Sequence, residues 1–184
     1  MECDGTLSGS SGPTLNAIGR TQAEQLALQL RDTKIDAIYS SDLERARETA
    51  RVIAKKHRLA VSLDPQLREI NQGEWKGLLV TEVIARFPRE WSERERDPLN
   101  ARAPGGESVA EVAARMKHAA DRIGKQHPNE TVVIVSHGLA LATLLCWVRG
   151  IPLDQAHSQI LDNAHPEIIE WSREFRNDLS KGIV

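Results

Sequence analysis

Two cysteines, Cys3 and Cys146, are all that the chain offers for a disulfide, and Cys146 lies inside an apolar helical pattern. That excludes a disulfide-stapled secreted scaffold and suits a reduced, cytoplasmic setting. No apolar run approaches the roughly 20 residues that span a bilayer, so a membrane is not an expected partner. The segment 1–12 lacks a basic stretch followed by an apolar one and does not read as a secretion signal. Lys and Arg are scattered, with no polybasic block and no interleaved aromatics. A formal charge of -2 and a pI near 6.3 point the same way, so nucleic acid is not an expected partner either. His57, His118, His127, His157 and His165 show no metal-ligand spacing. Neither a zinc motif, a P-loop nor a Gly-x-Ser-x-Gly elbow is present. What is left, 184 residues with 40% hydrophobic and 27% charged content, is an ordinary globular composition. It suits a single domain over 1–184 with a real core.

The stretch around which the rest is organised is Thr131-Val132-Val133-Ile134-Val135-Ser136-His137-Gly138. Consecutive β-branched apolar residues predict a strand buried on both faces, of the kind found inside a parallel sheet. A mostly apolar helix-length segment follows from Leu139 to Val148, which puts His137 in the turn between strand and helix. In open α/β sheets ligands bind at that edge. The helix N-terminus there offers N–H groups and a positive dipole end that suit an anion such as phosphate.

Along the chain, Thr14 is a plausible N-cap for a helix to about Arg31, and 36–40 predicts a strand. Ser41 and Glu44 form a capping box for a second helix. Residues 59–63 predict another strand, and 67–77 a loop with two glycines. A short helix over Val80 to Phe87 ends before Pro88, and 88–103 reads as an irregular charged cap over the sheet edge. Ser108 and Glu111 form a second capping box, opening an amphipathic helix to about Lys125. Residues 159–161 and 167–171 look like two final strands, and the tail after Ser172 is polar. Strands alternating with helices point to a doubly wound three-layer α/β/α domain with a mostly parallel sheet.

Three positions could carry chemistry. Arg45 lies in the first turn of its helix, where a cation opposes the helix dipole unless an anion is near. It occupies the same place relative to its strand as His137 does, so the two would face one crevice. With Arg47 close by, one arginine would serve the pocket and the other would be solvated. Glu69 lies between Leu67 and Ile70 at the head of a glycine-bearing loop. A desolvated carboxyl there would have a raised pKa and suit a general acid, and a solvated loop glutamate is the plainer alternative. Glu107, next to a helix cap, could simply favour that helix N-terminus.

Taken together, several segments resemble the histidine phosphatase superfamily, also called the phosphoglycerate mutase-like family. They are Leu15 to Leu30, Ile38 to Ala50 (with Arg45), Leu67-Arg68-Glu69-Ile70 to Gly77, Pro104 to Ser108, and Val135-Ser136-His137-Gly138, in the family's order and at family-like separations. The resemblance covers about 12–171. It implies a phosphate pocket at the carboxyl edge of the sheet, with Arg45, His137 and Gly138 binding phosphoryl oxygens. His137 would also stabilise the transferring group, and Glu69 would protonate the leaving alcohol. No metal or other cofactor is implied, because Arg and His supply the positive charge. The short span between Gly77 and Pro104 resembles the small phosphatase branch. Hydrolysis of a small phosphomonoester through a phosphohistidine is therefore expected, rather than mutase-type phosphoryl transfer.

The sequence departs from the family at its start. Family members open with an apolar strand ending in Arg-His-Gly, whose His is the nucleophile, and here Met1 falls a few residues downstream of that motif. The expectation is an N-terminally truncated domain whose first strand is missing, weak or inactive as given. The alternatives are a fragment of a working phosphatase, a pseudo-phosphatase that binds phosphate esters, and an interaction protein with a vestigial pocket. Losing an interior strand would either expose unpaired backbone, favouring a homo-oligomer, or force the sheet to close up.

Overall fold

The computed structural model describes residues 14–171, so the 1–13 loop and the polar tail from Ser172 lie outside the described residues. Helix α1 spans Ala17–Gln29 and is followed by strand β1 (Ala37–Ser40), helix α2 (Glu44–His57) and strand β2 (Val61–Leu63). Two 3-10 turns, Pro65–Leu67 and Gly73–Trp75, interrupt the long loop. Helices α3 (Val80–Arg86), α4 (Pro88–Arg96) and α5 (Val109–Gln126) then lead to strand β3 (Val132–Val135) and helix α6 (Gly138–Arg149). A final 3-10 segment covers Leu153–Gln159.

The three strands form one parallel sheet in the order β2-β1-β3. β1 pairs with β2 on one side and with β3, from Ala37↔Val132 through Ser40↔Val135, on the other, in an open sheet. The period-2 alternation of strands then sorts side chains to two faces. Ile38, Val133 and Val135 pack with Ala27, Ala50 and Ile53 of α1 and α2. Tyr39 and Ile134 pack with Val112, Met116, Ala140 and Leu144 of α5 and α6. The result is the three-layer α/β/α arrangement expected. Among the described residues, however, β3 lies at the edge of the sheet, and its residues are only partly buried rather than buried on both faces. The centre of the sheet is β1, where Ile38 and Ser40 are fully enclosed.

Four local expectations are corrected. The N-cap of α1 is Asn16, whose side chain accepts from the Gly19 N–H at 2.8 Å, not Thr14. Ser41 does not cap α2, which starts only at Glu44; Glu44 pairs instead with Arg47 and Arg51, and Ser41 is drawn to other partners. Residues 88–103 are not wholly irregular. Pro88 supplies the first position of α4, where its missing N–H costs nothing. The stretches 159–161 and 167–171 are not strands. Ala164, at a positive φ of 57°, sits in the turn between them, and neither stretch pairs with a strand among the described residues. Trp171 meanwhile donates its indole N–H to Asp121 of α5 at 3.0 Å. Asp121 also pairs with the buried Lys117, which lies over the Trp147 ring. The second capping box is present as expected, with Ser108 and Glu111 each accepting the other's backbone N–H. No helix among the described residues is long and apolar enough to cross a membrane.

Candidate active site

Because Ser40 and Val135 are in register, the chain leaves β1 and β3 at the same edge. The Ser41 N–H donates to the Val135 carbonyl at 2.9 Å, extending the pairing one step into the loops. α2 leaves toward one face and α6 toward the other, which makes this edge the switch point of the sheet. Ser41, Arg45 and His137 therefore meet here because of strand register.

His137 is buried, and its Nε2 lies 2.9 Å from the Ser41 hydroxyl. Burial pushes its pKa down to about 3; the positive charges of Arg45 and Arg115 add to this, and Asp42 partly opposes it. The ring is thus neutral at neutral pH. Arg45 is half-buried in the first turn of α2. Burial lowers its guanidinium from the usual value, while the charge of Glu69 acts to raise it. Arg47 pairs with Glu44, so Arg45 is the arginine turned to the crevice.

Glu69 reaches across to the start of α6. One carboxylate oxygen accepts from the Ile70 N–H at 2.9 Å and the Ala140 N–H at 3.3 Å, and the other accepts from Leu139 N–H at 3.3 Å. The anion at this helix N-terminus is therefore the chain's own carboxylate, a favourable placement. Gly138 stands beside it because the space is taken: a Cβ there would lie 3.1 Å from the Ile160 side chain and 3.9 Å from the Glu69 carboxylate.

The loop that carries Glu69 is braced from several sides, by Glu107 and by residues the sequence did not mark. Arg68 makes a two-pronged contact to Asp42 in the β1–α2 turn, at 2.7 and 2.5 Å, which holds the Asp42 carboxyl below its usual range. Arg115 of α5 donates to the carbonyls of Gln66 and Arg68, both at 2.7 Å, and forks onto Glu107 at 2.9 and 3.1 Å. Glu107 in turn accepts from the Asn71 N–H at 2.9 Å. Glu107 is thus not just a helix-terminus charge; with Arg115 it clamps the backbone either side of Glu69. The only local signal for this pair is their eight-residue spacing, which puts them near one line along the start of α5. Replacing Arg115 with Met should cost about 2–3 kcal/mol, because Glu107 and two carbonyls lose charge-assisted partners. Urea denaturation of R115M, E107Q and the double variant would show it, with the double variant less destabilised than the sum of the singles.

A model of the histidine phosphatase superfamily (branch 1) matches residues 2–178. The chain belongs to this superfamily. Phosphoserine phosphatase 1 of Hydrogenobacter thermophilus is 36% identical over 177 residues, covering 96% of this chain and 83% of that protein. Phosphoglycerate mutase-like protein 4 of Arabidopsis thaliana is 37% identical over 161 residues, covering 86% of this chain and 69% of that one. Among solved structures, the alpha-ribazole phosphatase from Shigella flexneri superposes with a TM-score of 0.80 at 27% identity, over 88% of this chain and 80% of that one. The chain is accordingly a histidine phosphatase- or mutase-like enzyme, and its fold is the one these relatives share.

Proposed function

We propose that this superfamily member acts on small phosphomonoesters as a phosphatase, with Arg45, Glu69 and His137 as its working residues. The observation that carries the reading is a half-buried Arg45 guanidinium set at the switch-point edge beside a neutral, buried His137. A cation partly stripped of water attracts a phosphoryl dianion far more strongly than an exposed one does. Arg45 binds the phosphoryl oxygens, and His137, with the backbone at Gly138, contacts the transferring group. Glu69 stands beside this pair, and to protonate the leaving alcohol its carboxylate must first take up a proton and give up part of its hold on the backbone N–H groups. Residues 88–103, whose Trp91 packs on Trp75, form the cap that selects the alcohol. A phosphohistidine route needs a nucleophilic histidine in addition to Arg45, Glu69 and His137. The expected behaviour of the 184-residue chain is binding of phosphate esters with slow turnover.

The short Gly77–Pro104 span and the phosphatase names carried by relatives support hydrolysis over phosphoryl transfer between positions of one substrate. Calorimetric titration with inorganic phosphate is the test. Arg45→Met should weaken binding by about tenfold to a hundredfold, the value of a charge-assisted contact of about 1.5–3 kcal/mol. Equal affinity in both proteins would overturn the assignment of Arg45. Fast multiple turnover of an aryl phosphate by the 184-residue chain would overturn the claim of slow catalysis.

A further inference from the structure

The Ser41–His137 contact resolves a point that the trio of working residues leaves open, namely which ring nitrogen of His137 carries the proton. The Ser41 hydroxyl is fully buried and has two partners. It accepts from the Leu43 N–H at 3.2 Å, and it lies 2.9 Å from His137 Nε2. The neighbouring Ser40 hydroxyl donates to the Ser41 carbonyl at 2.8 Å and takes no part. A hydroxyl has one hydrogen to give. If Nε2 were protonated, both Leu43 N–H and Nε2–H would donate to the same oxygen, and the Ser41 hydrogen would have no acceptor among the described residues. Leaving a buried donor unpaired is costly, so the hydrogen goes to Nε2.

We propose that Ser41 is a positioning residue for His137: its hydroxyl donates to Nε2, fixing the ring as the Nδ1–H tautomer and leaving that N–H for an incoming phosphoryl oxygen. Burial and the charge of Arg45 keep the ring neutral, so one N–H is all that it has to donate. With the tautomer fixed beforehand, binding does not have to reorganise the proton. A Ser–His contact of this length also invites a nucleophile reading, but Ser41 has no exposed surface for a substrate to reach. The inference rests on the proposed phosphate crevice for its purpose, while the tautomer itself can be established without any ligand.

Ring-nitrogen NMR of the uniformly 15N-labelled 184-residue protein, without phosphate, tests the assignment directly. A bare Nε2 and a protonated Nδ1 on His137 are expected, and a protonated Nε2 would overturn the proposal. Ser41→Ala should give a mixture of tautomers and weaken inorganic phosphate about fivefold to tenfold, the effect of one hydrogen bond. Ser41→Thr should restore the single tautomer. An unchanged ring spectrum and affinity in S41A would also sink it, as would phosphorylation of Ser41 detected by mass after incubation with an aryl phosphate. Should Arg45→Met leave phosphate affinity intact, the crevice reading fails, while the ring spectrum still decides the role of Ser41.

Discussion

Acidification from pH 6.5 to 4.5 is expected to weaken the fold by about 2–3 kcal/mol through His137 alone. The folded ring titrates at about 3, well below the ordinary histidine value, because it is buried and faces Arg45 and Arg115. An unfolded histidine takes up its proton near pH 6.5. Between these values the unfolded chain binds the extra proton and the native one does not. Stability is therefore fully present above about pH 6.5 and is lost as pH falls toward 3. Asp42 acts in the same direction but lower down: its folded carboxyl is held below 3.8 by Arg68, so its contribution fades only under more acid conditions. Asp36, Asp97 and Glu111, likewise held below their usual values, enter only toward the acid end of the window, so the difference between wild type and a His137 variant isolates the histidine. Urea unfolding in acetate and MES buffers should show the wild type losing stability across it, while His137→Asn, which cannot titrate there, holds nearly level. Parallel profiles for the two proteins would refute the buried neutral histidine. Repeating the series with inorganic phosphate should flatten the wild-type slope, because a bound anion beside the ring favours the imidazolium and raises its pKa.

How much of this was readable in advance follows from where each signal resides. The strand–turn–helix around His137 was legible because a run of β-branched residues followed by Gly138 is a local pattern. So was the pairing of Arg45 with His137, since both follow parallel strands. The partial burial of β3 was not legible, because composition does not say which strand is central, and among the described residues it is β1. Thr14 and Asn16 carry equivalent capping chemistry, and only the helix start separates them. The strand expected at 167–171 failed because an apolar alternation cannot show that Trp171 finds Asp121 first. Ser41 has the sequence context of a helix cap, but its stronger partner is His137, 96 positions away. Arg115 carries no local mark beyond its eight-residue spacing from Glu107. Its work lies in contacts to Gln66, Arg68 and Glu107, and the first two depend on the tertiary fold.

Gly73→Ala should be among the most damaging single-atom changes in the chain, destabilising it by about 4 kcal/mol or more. Gly73 has a φ of +49°, which disfavours any Cβ, but conformation is the lesser part of the argument. An added Cβ would lie 2.1 Å from the Pro104 carbonyl oxygen and 2.6 Å from the Gly106 nitrogen, both backbone atoms that no rotamer change can move. The two loops meet so closely because they are bonded to each other. The Glu74 N–H donates to the Pro104 carbonyl at 3.0 Å, and the Glu107 N–H donates to the Asn71 carbonyl at 2.8 Å. Gly106 interlocks from the other side, since its own Cβ would approach the Asn71 carbonyl to 2.6 Å. Relief of the clash requires the 69–75 loop to separate from 104–107, which would also release the Glu107–Asn71 bond that steadies Glu69. Gly77→Ala is the control. Its φ of +77° is equally unusual, yet nothing lies within 4 Å of the added atom, so only backbone strain of about 1–2 kcal/mol is expected. Thermal and urea unfolding of the two variants should therefore separate widely, and G73A should also lose phosphate affinity as Glu69 and its loop shift. Similar small losses in both would mean that the glycine serves conformation alone and that the two loops are not locked together.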